Sequence, residues 1–209
     1  MNRALVVIDT QLDYAATGAI PITYPPMATS LANIAQAMAA ATAAGIPVVV
    51  VAQISPAGAW AFAKGSAGAD LLPEVAAGYR DLLVEKTLPS SFTHTPLDGW
   101  LRERGIDRLA LAGYMTQMCV ETTAREAVHL GYSVELLADA TGTAAMANDA
   151  GALTAREVHD SALVVLQSRF AAVGSTADWC QAVAAGTSWP APDLAASVRR
   201  GLAEATVAS

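Results

Sequence analysis

Four side chains able to do chemistry stand at or just after the ends of apolar, β-branched runs. Asp9 closes "ALVVID", Gln53 closes "IPVVVVAQ", Lys86 closes "DLLVEK", and Cys119 comes a short turn after "RLALAG". A thiol, a carboxylate and an ammonium group on one rim supply a nucleophile, a base for its proton and a charge that stabilises both. Each residue alone has a plainer reading. A carboxylate after a strand often caps a turn, a Lys there is solvated, and a Cys in an apolar chain is a small buried hydrophobe. Gln53 could hydrogen-bond a substrate amide or merely cap its strand. The combination, more than any member, points to covalent catalysis.

The elements that would carry these groups alternate. The runs at 4–9, 46–53, 81–86, 108–113, 133–139 and 168–173 are continuously apolar, as strands covered on both faces are. Between them lie helical stretches over 27–45, 95–105, 120–131 and 149–166, three of them closed by Gly45, Gly105 and Gly131. This order predicts a doubly wound parallel sheet with right-handed crossovers, whose ligand sits at the carboxyl ends of the strands. The Gly-, Pro- and Ala-rich segment 54–79 reads as a long loop with a short helical piece, of the kind that often serves as a functional lid. The stretch after Thr176 is expected to add a helix.

Composition narrows the partners. The chain has 209 residues, 54% of them hydrophobic and 15% charged, which predicts one domain over 1–209 with 176–209 as a C-terminal extension. A net charge of -7 and 12 basic residues without a cluster argue against nucleic acid and anionic membranes, leaving a small molecule as partner. No secretory leader pattern and no apolar run of about 20 residues are present, and two cysteines suit free thiols in a reducing cytoplasm. No nucleotide-binding glycine motif follows the first strand. His94, His129 and His159 do not cluster, so no metal and no cofactor are expected. So apolar a chain should assemble, as a homodimer or homotetramer.

The segments "VVIDTQLDY" and "VEKTLPSSFTHTPLDGWLRERGIDRLALAGYMTQMCVETTAREAVHLGYSVELLADATGT" resemble the isochorismatase-like cysteine hydrolase family, over Arg3 to Gly174. The resemblance implies a three-layer α/β/α sandwich, an isochorismatase-like Rossmannoid with a six-stranded parallel sheet in the order 3-2-1-4-5-6. It implies a catalytic triad of Asp9, Lys86 and Cys119, an oxyanion hole from the amides of Met115 and Cys119, and a cis peptide, which we place at Met115–Thr116. Lys86 has the length to reach across the strand that separates it from Asp9. The helix mouth and Lys86 should both favour the thiolate.

Nicotinamidases of this family carry an Asp and several His after the second strand to hold a metal. This chain reads "VAQISPAG" there, which places it in the non-nicotinamidase amidohydrolase branch. Isochorismatases that cleave a vinyl ether usually lack the thiol, so Cys119 favours C–N hydrolysis. A vinyl-ether or ester hydrolase, or a catalytically silent binding protein, is the competing expectation. Gln11, Tyr14, Gln53, Trp60 and Phe92, with Phe62, are candidates to line the pocket. Asp139 reads as a loop-stabilising acceptor and Cys180 as a packing thiol.

Overall fold

The computed structural model describes residues 2–207; positions 1, 208 and 209 of the expected domain lie outside the described residues. Along the chain run β1 (Arg3–Ile8), α1 (Met27–Ala43), β2 (Val48–Gln53), α2 (Pro73–Ala76) and β3 (Leu82–Lys86). Then come α3 (Leu97–Glu103), β4 (Arg108–Tyr114), α4 (Glu121–His129) and β5 (Ser133–Gly142). A hairpin of β6 (Met146–Asn148) and β7 (Gly151–Leu153) precedes α5 (Ala155–Arg169), β8 (Ala172–Gly174), α6 (Thr176–Ala184) and α7 (Leu194–Val207).

Six strands form one parallel sheet in the order β3-β2-β1-β4-β5-β8, with β6 and β7 paired apart. This is the expected 3-2-1-4-5-6 order, β8 being the sheet's sixth strand. The valine and leucine runs explain it, because consecutive side chains point to opposite faces and both faces are covered. Leu5, Val7, Val48 and Val50 pack with Ile34, Ala37 and Met38 of α1 and Trp179 of α6. Ala4, Val6, Val49 and Val51 pack with Leu97 and Leu101 of α3, Ala124 and Ala127 of α4, and Leu166 of α5. Each buried Val, Leu, Ile or Met among them contributes about 1.5 to 3 kcal/mol of transfer free energy, so both helical layers are firmly seated.

Two boundaries differ from the sequence reading. The helix expected from 149 begins at Ala155, where Thr154 and Glu157 form a reciprocal capping box, and the residues before it form the hairpin. That helix then runs to Arg169, so the last sheet strand is shortened to three residues, Ala172–Gly174. The C-terminal part holds two helices where one was expected. Asp139 accepts from the backbone and hydroxyl of Thr176, which ties the start of α6 to β5 as a loop-stabilising acceptor should.

Candidate active site

The carboxyl ends of β1, β3 and β4 bring three chemical groups together. Asp9 is the first residue past β1, fully buried, with φ of 51°. A non-glycine residue rarely adopts that left-handed conformation, and such residues collect at functional sites. The backbone hydrogen bond from Asp9 N–H to Val51 O, 2.9 Å, holds it there. Gly113, opposite Ile8 in the sheet, makes the approach possible: a Cβ on it would lie 1.9 Å from the Ile8 carbonyl oxygen.

Lys86 ends β3, two strands from Asp9, and its side chain spans the gap beneath Gln53. Its ammonium Nζ lies 2.7 Å from Asp9 Oδ2 in an ion pair buried on both sides. It donates to Gln53 Oε1 at 2.8 Å and to Cys119 Sγ at 3.3 Å. Three acceptors saturate its three protons. Gln53 therefore orients Lys86, a role outside both alternatives of the sequence reading.

Cys119 lies in a single π-helical turn, Thr116–Val120, that runs straight into α4. Such widened turns are frequent at functional sites. Within it Met118 N–H and Val120 N–H both donate to Met115 O. Met115's own N–H has no hydrogen-bond partner among the described residues. The turn is braced from outside: Thr116 Oγ1 lies 2.9 Å from His159 Nδ1 of α5, and Thr123 Oγ1 accepts from Ser91 N–H at 3.0 Å. Sequence carried no signal for the His159 brace, since the two residues are 43 apart.

The cis peptide of this turn is Tyr114–Met115, one bond earlier than expected. Tyr114 is still a strand residue, paired with Gly142 and buried with its hydroxyl 2.8 Å from Ser30 Oγ, so the chain turns at the first bond beyond it. The expected low thiol pKa is also corrected. Burial, and then the Asp9 charge, push the Cys119 thiol up to about 12, with Lys86 opposing. Burial raises the Asp9 pKa as well, again against Lys86. One cation balances one anion, and a second anion in this dry site would be uncompensated. Of the three groups the thiol is the one these effects hold neutral.

The other candidates separate. Gln11 is buried, donates to the carbonyls of Gln53 and Ala69 at 2.9 and 2.7 Å, and accepts from Gln53 N–H. Both its donors go to backbone, so it straps the 54–72 loop to the rim instead of facing a ligand. Asp13 adds a second strap by accepting from Phe62 N–H at 2.5 Å. The loop is thus pinned as a wall. Phe92 is buried and stacks on Tyr132 at 5.8 Å, Trp60 is 78% exposed, and Tyr14 is buried between Phe62 and Tyr114. Among the described residues no group of three or more His, Cys, Asp or Glu could hold a metal ion, and no helix is long and apolar enough to cross a membrane.

A parallel α/β sandwich with a thiol, a carboxylate and an ammonium at its strand ends has the layout of a hydrolytic enzyme. Residues 3–178 match the isochorismatase domain, and the chain belongs to the isochorismatase family of hydrolases. It is 31% identical over 177 residues to the isochorismatase family protein YddQ of Bacillus subtilis, covering 84% of this chain and 97% of that protein. It is 32% identical over 215 residues to the ureidoacrylate amidohydrolase RutB of Pseudomonas syringae pv. syringae, covering 86% and 82%. A crystal structure from Burkholderia xenovorans described as an isochorismatase superimposes with a TM-score of 0.95 at 51% identity, over 98% of each chain. A cysteine hydrolase from Pseudomonas syringae pv. phaseolicola gives 0.82 at 26% identity, over 88% of this chain and 93% of that one.

Proposed function

We propose that this protein hydrolyses a C–N bond, of an amide, a ureido group or a lactam, in a small molecule through a thioester on Cys119, without a metal. The supporting observation is Lys86 Nζ lying 2.7 Å from Asp9 Oδ2 and 3.3 Å from Cys119 Sγ in a buried site. Similarity to an amidohydrolase and to a cysteine hydrolase points the same way.

The neutral thiol defines the order of events. Asp9, made more basic by burial, takes the Cys119 proton as the sulfur pair forms the C–S bond and the carbonyl π pair moves to oxygen. No free thiolate need build up, because its charge passes directly to the oxyanion. In this scheme the amides of Met115 and Cys119 receive that oxyanion, and one such donor is worth about 10²- to 10³-fold in rate. Collapse breaks the C–N bond and Asp9 returns the proton to the leaving nitrogen. Water then attacks the thioester as Asp9 takes its proton, and the C–S bond breaks as Asp9 passes that proton to sulfur, which restores the thiol and the carboxylate. Lys86 holds both partners in place throughout.

The test is a panel of small amides, ureas and lactams assayed for ammonia or amine release, with a pre-steady-state burst expected from acyl-enzyme. Full turnover by Cys119→Ala on an accepted substrate would overturn the scheme. Release of an alcohol or enol product, with no nitrogen product, would move the activity to ester or vinyl-ether cleavage.

A further inference from the structure

The amino ends of β4 and β5 hold a positive group that lacks a match. Glu135 is fully buried, and its two oxygens accept from Arg3, from Trp179 Nε1 and from the Trp189 amide. Arg3 also donates to the Thr187 carbonyl at 2.7 Å, so its own hydrogen bonds stay within the protein. Arg108 is left with Glu135 Oε1 at 3.7 Å, too long for a hydrogen bond. Its side chain is 17% exposed, and its Nε is buried with no hydrogen-bond partner among the described residues. Two guanidinium groups thus share one carboxylate, which leaves a positive charge and a planar fork of donors unmatched. Buried donors normally have partners, so one without any marks the place of a missing acceptor.

Arg108 lines a cavity of about 180 Å³, together with Arg169 at the end of α5, Val134 of β5, Phe170, Pro190 and Pro192. Arg169 is exposed and makes no ion pair among the described residues. Arg108 opens β4 and Tyr114 closes it. At about 3.3 Å per residue, the cavity therefore lies about 20 Å from the end of the sheet that carries the triad. We propose that this cavity binds a small monocarboxylate with an apolar body, the size of a branched four-carbon acid. The carboxylate lies between Arg108 and Arg169, because the paired N–H groups of a guanidinium match two carboxylate oxygens. The hydrocarbon part meets Val134, Phe170 and the two prolines. The volume equals that of about six waters at liquid density, which suits an acid of that size. Inorganic phosphate is a poorer fit, since apolar walls leave its remaining oxygens without donors. Pro190 and Pro192 belong to the C-terminal extension, so occupancy ties that segment to the sheet. The site stands independently of the hydrolase reading.

Calorimetric titration at constant ionic strength tests it, with isobutyrate as the probe, 3-methyl-2-butanone as its uncharged isostere and inorganic phosphate as an anion without an apolar body. One isobutyrate per chain is expected, bound at least about tenfold more tightly than either control, the worth of a charge-assisted hydrogen bond. Arg169→Gln, at an exposed position, should weaken isobutyrate about tenfold or more. Arg108→Lys keeps the charge beside Glu135 but loses the fork, and should weaken it similarly. Isobutyrate should also raise the Tm of wild type and not that of Arg169→Gln. Failure to saturate below about 10 mM would overturn the proposal, as would ketone or phosphate binding as tightly as isobutyrate. Isobutyrate that binds Arg169→Gln within about twofold of wild type has gone elsewhere, the active site included, and overturns it too.

Discussion

The sheet carries a buried ion cluster at each end, and the two are built on opposite rules. At the amino ends of the strands, Glu135 is fully buried and pairs with Arg3 Nε at 2.9 Å and with Arg108 at 3.7 Å. It also accepts from Arg3 at 3.0 Å, from Trp179 Nε1 at 3.0 Å and from Trp189 N–H at 3.2 Å. Both of its oxygens are occupied, and the donors come from β1, α6 and the segment before α7. At the carboxyl ends, Asp9 is equally buried, but among the described residues its charged partner is Lys86 alone and its Oδ1 has no hydrogen-bond partner. A cluster that holds structure together satisfies every acceptor. A carboxylate with an oxygen left open is free to take a proton, as the proposed base must.

The largest expected effect separates the clusters by activity. Cys119→Ala should lower turnover by at least about a thousandfold, as loss of a nucleophile does, while leaving the melting transition near that of wild type. Glu135→Ala should do the reverse. It strands Arg3 and Arg108 without a carboxylate and should cost about 3 to 5 kcal/mol, a fall in Tm on the order of 10 °C. Its activity per folded molecule should survive below the transition, because the triad lies at the other end of the strands.

A smaller effect sharpens the contrast through pH. Arginine cannot shed its proton, so the Glu135→Ala deficit should stay constant between pH 5 and 7. Lys86→Met instead leaves a carboxyl that can neutralise itself. The folded-state pKa of Asp9 is already raised, so its stabilising proton is held fully below the ordinary carboxylate range and lost as pH rises through the folded value. Lys86 is the group that opposes this rise. Removing it should make the stability deficit widen with pH, by up to about 1.4 kcal/mol per unit. Denaturant unfolding at pH 5 and at pH 7 measures it, and a deficit independent of pH would show that Asp9 stays ionised without its partner.

Sequence revealed these two ends unequally. The valine runs of β1 and β2 made the sheet legible, because a strand covered on both faces must be apolar throughout. That placed Asp9, Lys86 and Cys119 on one rim before any coordinates. The β6–β7 hairpin was illegible, since its residues are mostly exposed and carry no apolar pattern, although the Thr154–Glu157 capping box marked the true helix start. Glu135 was hidden inside an apolar strand, and only its partners, 27 to 132 residues away, explain its burial. Gln11 looked like a pocket residue because its loop straps are tertiary contacts. The thiol's protonation state was misread for the same reason: a helix mouth and a Lys are visible in sequence, whereas depth of burial is not.

That last point gives the smallest and most direct test. If the helix start and Lys86 controlled the thiol, Cys119 would alkylate fast and reach a plateau near neutral pH. With the thiol pushed up to about 12 by burial and by Asp9, the iodoacetamide rate of the resting enzyme should keep climbing from pH 8 to pH 10. A Cys180→Ser background removes the other thiol, whose pKa burial also raises. In Asp9→Asn the negative charge is gone while Lys86 remains, so the climb should shift to lower pH. Turnover should nevertheless fall, since the proton acceptor is lost. A faster-labelling thiol in a slower enzyme distinguishes a carboxylate that acts as base from one that merely pairs with Lys86.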